Sequence, residues 1–177
     1  MTERHEFYMA QALALAREAA AAGEVPVGCV IVRNGEIVGR GRNCREEKQA
    51  VSSHAEMEAM AQANARLGSW RLDGCELYVT LEPCCHTGKQ PPCTEAVLAS
   101  GVKRVIVGCT DPNPVVAGRG IRLLREKGLE VVAGVLRGEC ERQNEVFFHF
   151  MRTKLPFTVL KYAMTLDGKT ATVSGKS

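Results

Sequence analysis

Three short motifs place metal-ligating and acid–base residues where they could act together: His54-Ala55-Glu56, Pro83-Cys84-Cys85 and Pro92-Cys93. One imidazole and two thiolates suit a catalytic zinc, which takes three protein ligands and keeps a fourth position open for water. Two thiolates nearly cancel the charge of the ion, and the bound water becomes acidic enough to attack near neutral pH. Glu56 stands two residues from His54, so it can reach that water without ligating the metal. It can take the water's proton, pass it to a ring nitrogen and later protonate a leaving amine. The expected chemistry replaces a ring amino group by oxygen, with His54, Cys84 and Cys93 as zinc ligands and Glu56 as proton carrier.

Plainer readings of the same residues exist. Ser53-x-x-Glu56 is also a capping box. Cys85 could take the place of Cys84. A structural zinc site, normally closed by four ligands, could recruit Cys85 or His86 as the fourth, but it would leave Glu56 without a chemical task.

The elements that must hold these motifs can be read from periodicity and breakers. Residues 3–22 read as a helix with Met9, Leu13, Ala16 and Ala20 on one face. Residues 27–32 read as a strand, Asn34-Gly35 as a hairpin turn and 37–39 as the return strand. Residues 42–53 read as a polar loop. A helix from His54 to Gly68 is expected to turn Met57, Met60, Ala61, Asn64 and Leu67 inward. Strands follow at 77–81, 105–107 and 130–133, with helices at 92–100, 121–127 and 138–151. Strands alternating with helices after a hairpin predict a three-layer α/β/α domain around a five-stranded mixed sheet. His54 and Cys93 then lie at helix starts and Cys84 just past a strand end, on the sheet edge where ligand sites form. The positive helix ends there favour thiolates.

Lys154-Leu155-Pro156 reads as a linker and 157–162 as a further strand. The chain thus divides into a metal-dependent domain over 1–152 and, over 153–177, a linker with the start of a second, incomplete domain.

Composition narrows the class. The content is 45% hydrophobic and 24% charged, as in an ordinary globular protein. Net charge is +3 and aromatics are 5%, thin support for a nucleic-acid partner but compatible with an anionic small substrate. Eight cysteines are too few for a disulfide scaffold, and Cys29, Cys75 and Cys109 sit in apolar runs as small buried hydrophobes. No apolar stretch suffices to span a membrane, and the first residues lack a signal-peptide core. A cytoplasmic location is expected.

His-x-Glu followed by Pro-Cys and a second cysteine is the signature of zinc-dependent nucleobase deaminases, here with eight residues between Cys84 and Cys93 instead of two. The segment from Pro83 to Cys93 resembles that of the riboflavin-biosynthesis deaminase–reductase family, as do Asp111-Pro112-Asn113-Pro114, Gly118-Arg119-Gly120, Phe147-Phe148 and the tail from Lys161 to Lys169. The resemblance implies a cytidine-deaminase-like fold and a substrate, 2,5-diamino-6-ribosylamino-4(3H)-pyrimidinone 5′-phosphate, whose 2-amino group is hydrolysed. It implies substrate contacts at His86, Lys89, Asn43, Ala55, Asp111 and Asn113, with Lys89 suited to the phosphate. Lys161 and Ala163 would belong to the reductase segment, where NADP would bind only if the complete domain were present. No reduction by this chain and a homo-oligomer are expected.

The first half, with Glu24-Val25-Pro26-Val27-Gly28 and Gly41-Arg42-Asn43, is more similar to tRNA adenosine and free-nucleobase deaminases. The riboflavin family usually has Asn and His at the positions of Glu24 and Asn43, so these two bear on specificity. A tRNA adenosine or nucleobase deaminase is accordingly the alternative function.

Overall fold

A computed structural model describes residues 2–86 and 91–175 of the 177-residue chain. Helix α1 spans Glu3–Ala21. The hairpin β1 (Gly28–Arg33) and β2 (Glu36–Arg42) follows, then a short helix α2 (Arg45–Lys48) and α3 (Ala55–Leu67). Next come β3 (Glu76–Leu81), α4 (Cys93–Ser100), β4 (Arg104–Cys109), α5 (Arg119–Glu126) and β5 (Glu130–Ala133). Helices α6 (Arg137–Gln143) and α7 (Glu145–Thr153) end the fold.

The sheet order is β2-β1-β3-β4-β5. β1 runs antiparallel to β2 and β3, whereas β3, β4 and β5 are parallel. The expected five-stranded mixed sheet is therefore present. Its central strands are apolar at nearly every position because both faces are covered. Cys29, Ile31, Leu77, Val79, Val105 and Val107 pack on one side with residues of α3, α4 and α5. Val30, Val32, Tyr78 and Ile106 pack on the other with residues of α1, α6 and α7. Cys29, Cys75 and Cys109 are buried as expected.

Two glycines set how closely the helices approach the sheet. A Cβ on Gly28 would lie 2.0 Å from the Ala12 carbonyl oxygen of α1, and one on Gly41 would lie 2.2 Å from the Ala55 carbonyl oxygen of α3. The start of α3, where His54 sits, is thus seated directly on β2.

Several details differ from the sequence reading. On α3 Met60 is buried and Met57 and Leu67 pack partly buried against the core as expected, Ala61 is exposed, and Ala55, Glu56, Ala59 and Ala63 join the inward face. Close approach to the glycines of β2 selects alanines rather than the longer side chains. On α1, Ala19 is buried in place of Ala20. The loop over 42–53 contains α2. The expected helix over 138–151 breaks at Asn144, whose side-chain amide donates to the carbonyls of Pro26 (2.9 Å) and Cys140 (3.2 Å). Residues 157–162 form no strand and are exposed throughout. No described strand lies alongside to satisfy their backbone groups, so water does.

Candidate metal centre and its cavity

His54 is the N-cap of α3, Cys93 the first residue of α4, and Cys84 lies three residues past β3. Their ligand atoms all fall within 4.8 Å of one another. His54 Nδ1 is 3.2 Å from Cys93 Sγ and 4.0 Å from Cys84 Sγ. The Cys93 backbone N–H donates to Cys84 Sγ at 3.2 Å. Hydrogen bonds from Cys93 and His54 hold the Cys84 thiol down to about 4. Cys93, bonded to that thiolate and buried, is pushed up, and His54 is raised by its bond to Cys84. A thiolate, a second thiol that a cation would deprotonate, and an imidazole are a donor set that fits zinc. Cys85 is not in the cluster among the described residues. It is half-buried, and burial raises its thiol.

Glu56 lies in the first turn of α3 and is only 4% exposed. Burial raises its carboxyl above the ordinary range. No side chain caps α3, so the capping-box reading of Ser53 and Glu56 does not hold. Ser53 is itself buried, and its backbone carbonyl accepts from Cys44 N–H.

A cavity of about 390 Å³ opens over these residues. It brings together His54, Ala55, Glu56 and Cys84 with Asn43, His86, Asp111 and Asn113. Apolar side chains, among them Val27, Leu81 and Phe147, form much of the remaining wall, an arrangement suited to a flat ring held by a few polar groups. Lys89 lies outside the described residues. Lys161 and Ala163 are exposed and do not line the cavity.

Two buried carboxylates build the cavity rim. Glu82, the residue after β3, accepts three backbone N–H groups, from Gly118 (2.8 Å), Ile121 (3.1 Å) and Asp111 (3.2 Å). It thereby ties the start of α5 and the Asp111–Asn113 loop to the strand that delivers Cys84. Asp111 in turn accepts from the Asn113 backbone N–H at 2.7 Å, and burial raises its carboxyl. Glu24 accepts from the backbone N–H groups of Glu46 (2.8 Å) and Glu47 (2.9 Å) and from Asn43 Nδ2 (3.2 Å). Glu24 is not a cavity-lining residue; it orients Asn43, which is. Sequence reasoning missed Glu82, Phe147 and Arg45 as cavity builders. The available signals were position alone: Glu82 just before Pro83-Cys84, and Arg45 two residues past Asn43.

Residues 2–109 match the family model of the cytidine and deoxycytidylate deaminase zinc-binding region. Riboflavin biosynthesis protein RibD of Actinobacillus pleuropneumoniae is 47% identical over 172 residues, covering 96% of this chain and 43% of that protein. A Thermotoga maritima structure described as a diaminohydroxyphosphoribosylaminopyrimidine deaminase/5-amino-6-(5-phosphoribosylamino)uracil reductase aligns with TM-score 0.87 and 42% identity, over 98% of this chain and 48% of that one. A structure from work on A-to-I editing by tRNA:A34 deaminases aligns with TM-score 0.69 and 32% identity, over 77% of this chain and 98% of that one. The chain spans about half the length of the riboflavin relatives it matches.

Proposed function

This chain belongs to the cytidine and deoxycytidylate deaminase zinc-binding family, and from that premise we propose that it is a hydrolytic deaminase of riboflavin biosynthesis. The reaction is 2,5-diamino-6-ribosylamino-4(3H)-pyrimidinone 5′-phosphate plus water to 5-amino-6-ribosylaminouracil 5′-phosphate plus ammonia. The observation that carries this reading is the buried Glu56 beside a His54–Cys84–Cys93 cluster at the floor of a ring-sized cavity. The names of the relatives support the substrate.

His54, Cys84 and Cys93 would hold zinc, and the ion when bound supplies the Lewis acidity that makes an attacking water acidic. Glu56, whose carboxyl burial raises, is placed in the first turn of α3 beside the cluster to take up and pass on a proton. It takes a proton from water and delivers it to the ring nitrogen next to the reacting carbon, then takes the remaining proton from the newly added hydroxyl and passes it to the departing amine. The carbon–nitrogen bond breaks as the new carbon–oxygen bond becomes a carbonyl. Apolar walls exclude other water, and Asn43, Ala55, His86, Asp111 and Asn113 are placed to orient the ring and ribose. Lys89 is a further candidate for the phosphate on family resemblance alone.

Residues 1–152 form the deaminase domain in this reading, and 153–177 a linker and the beginning of a reductase-like domain. Lys161 and Ala163 belong to that segment. A cytoplasmic, homo-oligomeric enzyme is consistent with the resemblance. Among the described residues no helix is long and apolar enough to cross a membrane.

A tRNA adenosine or nucleobase deaminase is the second reading, favoured by the near-complete coverage of the tRNA-deaminase structure. Ammonia release from the zinc-loaded chain separates the two. The pyrimidine ribosyl phosphate, guanine, cytosine and an anticodon stem-loop are offered in parallel. Turnover of the pyrimidine phosphate alone is expected; turnover only of a free base or the stem-loop would overturn the riboflavin assignment.

A further inference from the structure

Helix α6 gives way to α7 at Asn144, and Phe147, in the first turn of α7, lines the same cavity as His54 and Glu56. An asparagine at a helix start ordinarily turns its side-chain oxygen onto the free N–H groups of the first turn. This one does not: no side chain caps α7, and Asn144 Oδ1 is buried without a hydrogen-bond partner. The residue is 1% exposed. Its Nδ2 instead donates to the carbonyls of Pro26 at 2.9 Å and Cys140 at 3.2 Å. A buried acceptor left unpaired is costly, so local helix stability does not select this arrangement.

The Pro26 bond reaches the opposite end of the chain. Pro26 lies between Val25 and Val27, and both valines line the cavity. The Val27 carbonyl in turn accepts from the Asn43 N–H at 3.0 Å, and Asn43 lines it too. One buried amide therefore joins the turn that carries Phe147 to the segment that carries Val25, Val27 and Asn43, 118 residues away. Packing holds α7 only lightly, since Phe148 is its one buried residue among those described.

We propose that Asn144 is a positioning residue for the substrate ring: it latches Phe147 to the Val25–Val27 segment and so sets the apolar corner in which the flat ring lies. This rests on the deaminase reading above. Contact between two aromatic rings depends on their separation and tilt, so the placement of Phe147 governs what it contributes. Asn144 donates to neither the His54–Cys84–Cys93 cluster nor Glu56, so loss of the latch moves Phe147 and leaves the metal ligands in place.

The test is a double-mutant cycle on the zinc-loaded chain: Asn144→Ala, Phe147→Leu and both together, each checked for zinc content. Asn144→Ala is expected to raise KM for the pyrimidine ribosyl phosphate about 3- to 10-fold, with kcat and zinc content held within about twofold. Phe147→Leu should do the same. The double variant should be no worse than the larger single effect, because an absent ring has no position to lose. Asn144→Ser, which keeps one donor, should recover part of the loss, and it carries the cycle if Asn144→Ala does not fold. An unchanged KM in either single variant, a fall of kcat and zinc content alongside the rise in KM, or effects that multiply in the double variant would each overturn the proposal. Amide hydrogen exchange reads the latch without turnover. Exchange in Asn144→Ala should quicken at Val27, at Asn43 and in the first turn of α7 together, and unchanged exchange at Val27 and Asn43 would refute the link. If the wild type turns over only a free base or the anticodon stem-loop, the riboflavin reading falls, and the same cycle on that ring decides the role of Asn144.

Discussion

Replacing Glu82 by glutamine tests whether one carboxylate holds the substrate loop to the metal-bearing strand. Glu82 is 4% exposed, so solvent screening gives little relief. Its two oxygens accept three backbone N–H groups. Glutamine offers one carbonyl oxygen and turns an N–H₂ donor toward an N–H donor, so at least one bond is lost. A hydrogen bond to a charged acceptor contributes about 1.5–3 kcal/mol, and the two remaining bonds fall to neutral strength, near 1 kcal/mol each. At the low end of these values the sum is a destabilisation of about 3 kcal/mol. For a chain of this size each kcal/mol moves Tm by roughly 2–4 °C, so Tm should drop by about 6–12 °C. Circular dichroism melts of zinc-loaded wild type and Glu82→Gln would read this directly. KM for the nucleotide should rise as well, because Asp111 and Asn113 lose their anchor. A Tm change under about 2 °C would refute the idea that this carboxylate organises the loop.

Other outcomes follow from the same geometry. Glu56→Gln should retain zinc yet lose about 10²- to 10⁴-fold in kcat, read by ammonia release beside metal analysis. Cys84→Ser, Cys93→Ser and His54→Ala should each lose most bound zinc by metal analysis, whereas Cys85→Ser should keep it. Retention of zinc by Cys84→Ser with loss in Cys85→Ser would show that the ligand was misassigned. Burial lowers the His5 pKa from 6.5. The unfolded chain therefore takes up that proton first, and the stability is present above pH 6.5 and lost as pH falls through the lowered folded value. Urea midpoints between pH 8 and 5 should fall less steeply in His5→Gln than in wild type. Equal slopes would remove His5 from the acid response.

Much of this architecture was legible because it follows local rules. Continuous apolar strands such as Leu77 to Leu81, the Asn34-Gly35 turn and the cysteine and histidine spacing each carry their meaning within a few residues. What escaped the sequence depends on contacts distant in the chain. Helix α2 exists because Glu24 reaches across 22 residues to its first turn. The break at Asn144 depends on a bond to Pro26, 118 residues away. The role of Glu82 depends on backbone groups 29 to 39 residues on. On α3 Ala61 was misplaced, and Ala55, Ala59 and Ala63 were missed, because glycines on another element favour alanine there. The strand expected over 157–162 failed for a related reason: the composition of a segment can suit a strand but supplies no partner. Glu24 and Asn43 were recognised as departures from the riboflavin family, but only the structure shows that Glu24 acts by holding Asn43.

The central claim is hydrolytic deamination of a phosphorylated pyrimidine at the His54–Cys84–Cys93 centre. It is tested most directly by incubating the zinc-loaded chain with the pyrimidine ribosyl phosphate in heavy-oxygen water and analysing the product by mass spectrometry. The account predicts one heavy oxygen in the ring, ammonia released in equal amount, and both lost in Glu56→Gln. An unchanged pyrimidine, while a free base or an anticodon stem-loop incubated in parallel takes up the label, would contradict it.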